Sequence, residues 1–81
     1  MFYVYILKLS NGQYYTGFTR DLKNRVKRHS QKAVKTTRRI MPKTLVFYAA
    51  FESQKLATDF EKYLKSSSGF AFRNKRLITG L

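Results

Sequence analysis

The chain has 81 residues, 17 Lys+Arg against 4 Asp+Glu, a formal net charge of +13, and no cysteine. One domain over residues 1–81 is expected, since a chain this short buries only about 60% of its unfolded surface and cannot feed two cores; disulfides and thiolate metal sites are excluded. No stretch approaches the roughly 20 apolar residues of a membrane span, and the apolar start lacks a basic n-region, so a cytoplasmic protein is expected, with no membrane partner.

The charge exceeds what solubility asks of a small domain. A field of that sign concentrates phosphate polyanions, and nucleic acid is the expected partner. A membrane surface would call for an amphipathic helix with a wide apolar face, whereas the basic residues here run through helices and loops alike.

In chain order, residues 2–9 are aromatic and β-branched and read as a strand. Asn11-Gly12 is a turn signal, and residues 13–18 supply the return strand. A strict two-residue turn would send Tyr5 and Tyr15 to opposite faces. A three-residue loop, Ser10-Asn11-Gly12 with Gly12 in the left-handed region, shifts the register by one. Leu9 then faces Gln13, Leu7 faces Tyr15 and both tyrosines share a face. The three-residue loop is the expectation.

From Asp21 the period changes: Leu22, Val26, His29 and Ala33 make one stripe of a helix, capped by Asp21 or Thr19. Residues 32–43 form a cationic connector with the lone proline, Pro42, and room for a short second helix. Residues 44–51 are strand-like again. Ser53 can cap a helix running to about Ser67, with Leu56, Phe60, Tyr63 and Leu64 on its buried side. Ser66-Ser67-Ser68-Gly69 ends it, and residues 70–81 are a basic tail. The order β-β-α-(α)-β-α implies an α+β fold, a small three-stranded antiparallel sheet flanked by helices.

Two tyrosine tripeptides, Tyr3-Val4-Tyr5 and Tyr15-Thr16-Gly17, flank the turn; Arg25 and His29 follow four apart on the first helix, and Glu61 sits within Phe60-Glu61-Lys62-Tyr63-Leu64-Lys65. This ordered set resembles the GIY-YIG nuclease domain over nearly the full chain, and among its members the small stand-alone bacterial ones. The first tripeptide stands where the family has Gly-Ile-Tyr and the second where it has Tyr-Ile-Gly. Asn74 stands for the family's late Asn. Tyr in place of the first Gly is a departure that stand-alone members share.

The resemblance implies metal-dependent phosphodiester hydrolysis of nucleic acid, with DNA nicking expected. Tyr5 or Tyr15 would be the base. An unperturbed Tyr titrates near ~10, so nearby cations or a metal-bound water must favour its phenolate. Tyr3 and Tyr14 are read as strand packing. Arg25 would stabilise charge on a phosphoryl oxygen, with His29 assisting. A lone His on an apolar face is more often a packed residue, and only the matching family position favours a role for it. The acids are Asp21, Glu52, Asp59 and Glu61; Asp21 suits a helix start and Glu52 a strand end. Helical position does not separate Asp59 from Glu61; the resemblance selects Glu61 as ligand of one divalent cation, Mg2+ or Mn2+, whose shell water and substrate complete. The competing reading of Glu61 is an i,i+4 ion pair with Lys65. Gly17 would let the strand leave the sheet or substrate backbone approach, and Asn74 would support the metal shell or a phosphate. Lys32, Lys35, Arg38, Arg39, Lys43, Arg73, Lys75 and Arg76 would grip phosphates without reading sequence. The alternative is a non-catalytic basic nucleic-acid-binding module on the same fold; a cationic protein adaptor ranks third. Substrate targeting is left to a partner protein.

Overall fold

The computed structural model describes residues 1–30 and 42–78, and of residues 28–30, 42 and 43 the backbone alone. Strands β1 (Phe2–Leu9) and β2 (Tyr14–Thr19) lead to helix α1 (Leu22–Ser30). Strand β3 (Pro42–Phe51), helices α2 (Gln54–Leu64) and α3 (Ser67–Phe72) and a π-helical turn (Arg73–Leu77) follow. The three strands form an antiparallel sheet in the order β2-β1-β3, the α+β architecture that the element order implies. The helix expected within residues 32–43 falls largely outside the described residues.

β1 is apolar on both sides because it is the central strand and both faces are covered: Val4, Tyr5, Ile6 and Leu7 are at most 1% exposed. Val4 and Ile6 face Ala57 and Leu64 of α2 together with Ile78. Tyr5, Leu7 and Leu9 face the other way, under Leu22 and Val26 of α1. Burying each such side chain is worth about 1.5–3 kcal/mol, so the alternation along β1 fixes which helix covers which face.

The hairpin closes as the three-residue loop requires. The Leu9 N–H donates to the Gln13 carbonyl at 2.8 Å, the Gly12 N–H to the Leu9 carbonyl at 3.0 Å, and Gly12 has φ +85°. Leu7 stands opposite Tyr15. The α1 cap is Asp21, whose Oδ1 accepts from the Asn24 N–H at 3.1 Å, while Thr19 Oγ1 accepts from the Asp21 N–H at 3.0 Å and fixes the cap itself.

Three expectations need correction. First, α2 stops at Leu64, and Ser66 starts a new helix by accepting from the Gly69 N–H at 3.2 Å. Serine's oxygen serves a helix start as readily as a turn. Second, Leu56 and Tyr63 do not face the core: they are 57% and 41% exposed, and Ala57 and Leu64 take the buried line. The apolar stripe of α2 is wider than its contact with the sheet, so Tyr63 packs sideways on Phe60 and Phe72, with ring centroids 6.4 and 5.9 Å away. Third, the chain does not leave the sheet at Gly17; β2 continues to Thr19.

Candidate active site

Gly17 stands opposite Tyr5 in the β1–β2 pair. With no side chain on Gly17, the Tyr5 ring lies across it: a methyl there would sit 2.9 Å from Tyr5 Cε1 and closer still to the hydroxyl end. The phenol therefore points toward the β2 edge from a fully buried position. The half-buried Tyr15 packs beside it on the same face, ring centroids 6.3 Å apart and tilted 45°.

α1 lays Leu22 and Val26 over this tyrosine face, which brings the neighbouring Arg25 into hydrogen-bonding contact with the Tyr5 hydroxyl. α2 is positioned from the other side. Arg20, at the end of β2, donates from Nη2 to Gln54 Oε1 at 2.8 Å and stacks over Phe2 at 5.5 Å, tying the start of α2 to the sheet. Sequence reasoning passed over Arg20, because both its partners are distant in the chain. Glu61 of this tethered helix lies within electrostatic range of Tyr5.

Tyr5, Tyr15, Arg25 and Glu61 thus converge from four elements. The backbone of His29 is in α1 one turn after Arg25; its side chain is outside the described residues. Asp59 and Glu61, equivalent by helical position, differ in their surroundings: Asp59 Oδ2 pairs with Lys55 Nζ at 2.9 Å on an exposed flank, whereas Glu61 acts electrostatically on Tyr5.

Burial pushes the Tyr5 phenol well above the usual tyrosine range. Tyr15 and Glu61 push the same way, while Arg25 opposes through its charge and its hydrogen bond. At rest Tyr5 is a neutral hydroxyl, because nothing nearby repays a buried phenolate in full. Glu61 Oε2 accepts from Lys65 Nζ at 3.0 Å, the ion pair foreseen as its competing role. Such a pair, with Lys65 more than half exposed, is worth a few tenths of a kcal/mol and yields readily to a better cation.

The donor set suits a hard ion on a single carboxylate, with water filling the other positions. Among the described residues no three His, Cys, Asp or Glu gather. Beside Arg25 an open depression of about 340 Å3, lined by Phe18, Thr19, Arg20, Asp21 and Asn24, gives room for a phosphate group.

Of the expected phosphate grips, Lys75 and Arg76 are exposed. Lys32, Lys35, Arg38 and Arg39 lie outside the described residues, as does the side chain of Lys43. Arg73 is not a solvated charge. It is 9% exposed, with its guanidinium 4.4 Å from the Phe70 ring centroid and 5.3 Å from that of Tyr14. Its Nε and Nη2 donate to Asn74 Oδ1 at 3.2 and 2.9 Å. No helix of the described residues is long and apolar enough to cross a membrane.

Compared with known proteins, the chain matches the GIY-YIG catalytic domain over residues 1–76. A UPF0213 protein of Clostridium perfringens is 38% identical over 78 residues, spanning 95% of this chain and 80% of its own. One from Halalkalibacterium halodurans is 43% identical over 67 residues, 82% of this chain and 71% of its own. One from Streptococcus pyogenes serotype M5 is 38% identical over 64 residues, 78% and 70% respectively. These names assign no reaction. No solved structure matches significantly.

Proposed function

From the GIY-YIG catalytic domain family, to which this chain belongs, we propose that it hydrolyses phosphodiester bonds in nucleic acid, DNA foremost, with one Mg2+ or Mn2+ held by Glu61. The observation that carries this reading is the buried Tyr5 phenol laid across Gly17, hydrogen-bonded to Arg25 and within electrostatic range of Glu61.

Arg25 donates to a non-bridging phosphoryl oxygen as negative charge grows on it, a charge-assisted bond of the kind that strengthens toward the transition state. Tyr5 takes the proton of the attacking water. As a neutral hydroxyl it must first give its own proton to solvent, which takes it up as hydronium; the Arg25 hydrogen bond favours the phenolate so formed, and that phenolate then receives the proton of the attacking water. Tyr15 packs beside Tyr5 at a tilt and orients its ring. The divalent cation, when bound, supplies positive charge to the leaving oxygen. One such site cuts one strand, so a single chain nicks.

The second reading, a binding module without turnover, is favoured by one observation: Lys65 already occupies the Glu61 carboxylate. The two readings part on supercoiled plasmid incubated with Mg2+ or Mn2+, with Glu61→Ala prepared identically. Nicking that drops at least 10²-fold in the variant, with plasmid binding kept, is the expected result. Equal nicking by both proteins removes Glu61 from the chemistry. Binding without nicking by either moves the assignment to the module.

A further inference from the structure

Tyr5 stands opposite Gly17 on β2 and opposite Tyr48 on β3. Residues paired across strands share a face, so Tyr48 lies on the Tyr5 face, one strand spacing of about 4.8 Å away. It is 57% exposed. Ala50, the β3 partner of Tyr3, is exposed as well, and its single methyl fills little of the space beside the Tyr3 ring.

A lone exposed aromatic would need no explanation, but Tyr48 is not alone. With Tyr3, Arg20, Asp21, Leu22 and Lys23 it lines an open depression of about 330 Å3, at the small end of the ~300–1,000 Å3 of ligand clefts. The depression beside Arg25 also has Arg20 and Asp21 in its wall. The two therefore adjoin at the turn that starts α1.

Their linings suit different groups. The guanidinium of Arg20 is already engaged by Gln54 and the Phe2 ring. In the wall of the Tyr3–Tyr48 depression the exposed Lys23 is then offset by the Asp21 carboxylate. Two phenol rings and Leu22 with little net charge favour a planar, uncharged group, whereas a phosphate is drawn to Arg25. A nucleotide supplies both in one covalent unit, and every base offers a face that stacks on an aromatic ring.

We propose that Tyr48 and Tyr3 form a stacking platform for an unpaired base of the nucleic acid, next to the phosphate drawn to Arg25. The proposal rests on the nucleic-acid reading above and names its substrate class. A base inside a duplex must leave the stack before it reaches the rings, at a cost in free energy. A strand with an unpaired nucleotide at the site therefore binds ahead of a perfect duplex.

The test compares affinity for a plain duplex and for the same duplex carrying one bulged, fluorescent purine analogue whose emission falls on stacking. Both are measured in a chelator at fixed salt, for the parent, Tyr48→Phe, Tyr48→Leu and Tyr48→Ala. The parent is expected to prefer the bulged duplex about ten-fold, the worth of one stacked base, and to quench the analogue. Tyr48→Phe keeps a ring and is expected to keep both. Tyr48→Leu keeps apolar bulk without a ring face. It and Tyr48→Ala are expected to bring the preference toward unity and to lose the quench. Tyr48 is more than half exposed, so these variants are expected to fold, which their melting temperatures check.

A parent with no preference for the unpaired base, or with no quench, overturns the proposal. So does a Tyr48→Leu that keeps the preference, because the surface would then be a plain apolar contact. A Tyr48→Ala that weakens both duplexes equally also overturns it. A parent that binds neither duplex at low salt sinks the nucleic-acid reading together with the proposal, whereas equal binding of both ends the proposal alone. A parent that binds without nicking leaves these binding arms to decide it.

Discussion

Tyr5 is fully buried, yet its hydroxyl touches Arg25, and it gets there because the residue opposite has no side chain. Gly17 is needed for close approach, not for backbone freedom, so even one methyl is too much. In Gly17→Ala either the ring swings away or β2 gives way, and a catalytic group displaced by about 1 Å can lose 10²-fold in rate. We expect plasmid nicking to fall by about that factor, while overpacking costs about 1–3 kcal/mol and the fold persists. The paired measurements are nicking rate and melting temperature; an unchanged rate in a folded variant would show that the placement of Tyr5 is not used. The residue-level role of Gly17 was only half legible in the sequence. The motif marked the position, but that the phenol fills it depends on the hairpin register.

At the scale of elements, α2 and α3 meet so closely that Gly69 has no space for a Cβ: it would collide with the Tyr63 carbonyl and lie 2.8 Å from Leu64 Cα. Those are backbone atoms, which cannot rotate aside as a side chain can. Gly69→Ala is therefore expected to destabilise by about 1–3 kcal/mol, a drop in melting temperature of about 4–8 °C for each kcal/mol in a domain of this size. Thermal denaturation followed by circular dichroism reads it; a fall of under ~2 °C would mean that α3 simply rides outward. This elbow also shows where sequence reasoning stops. The β1–β2 register was readable because side chains alternate with period two and Gly12 fixes the loop. The face that α2 buries was not: Leu56 and Tyr63 are as apolar as the residues that end up inside, and only the line of contact with β1 excludes them. Ser66 was equally ambiguous, because the hydroxyl that ends one helix can cap the next. Arg73 resembled every other cation of the tail until Tyr14 and Phe70 closed on it.

Across the whole molecule the charge of +13 is nearly unopposed, since among the described residues two ion pairs, Lys55–Asp59 and Lys65–Glu61, account for the helical acids. The molecule is about 29 Å across its broad face, and phosphates repeat at ~3.4 Å along a strand, so the face spans about eight of them; engaging half gives a log–log salt slope near about −3.6. Duplex affinity is then expected to fall on the order of 10²-fold between 50 and 200 mM salt. Lys75→Gln and Arg76→Gln, both at exposed positions, should each flatten the slope by about one if they touch phosphate. Glu61→Ala removes an acid and no cation, so it should leave the slope where it was while abolishing turnover. That contrast separates the grip from the chemistry in one titration. A slope near zero would instead show that the basic face does not neutralise phosphates, because each cation that does so releases counterions.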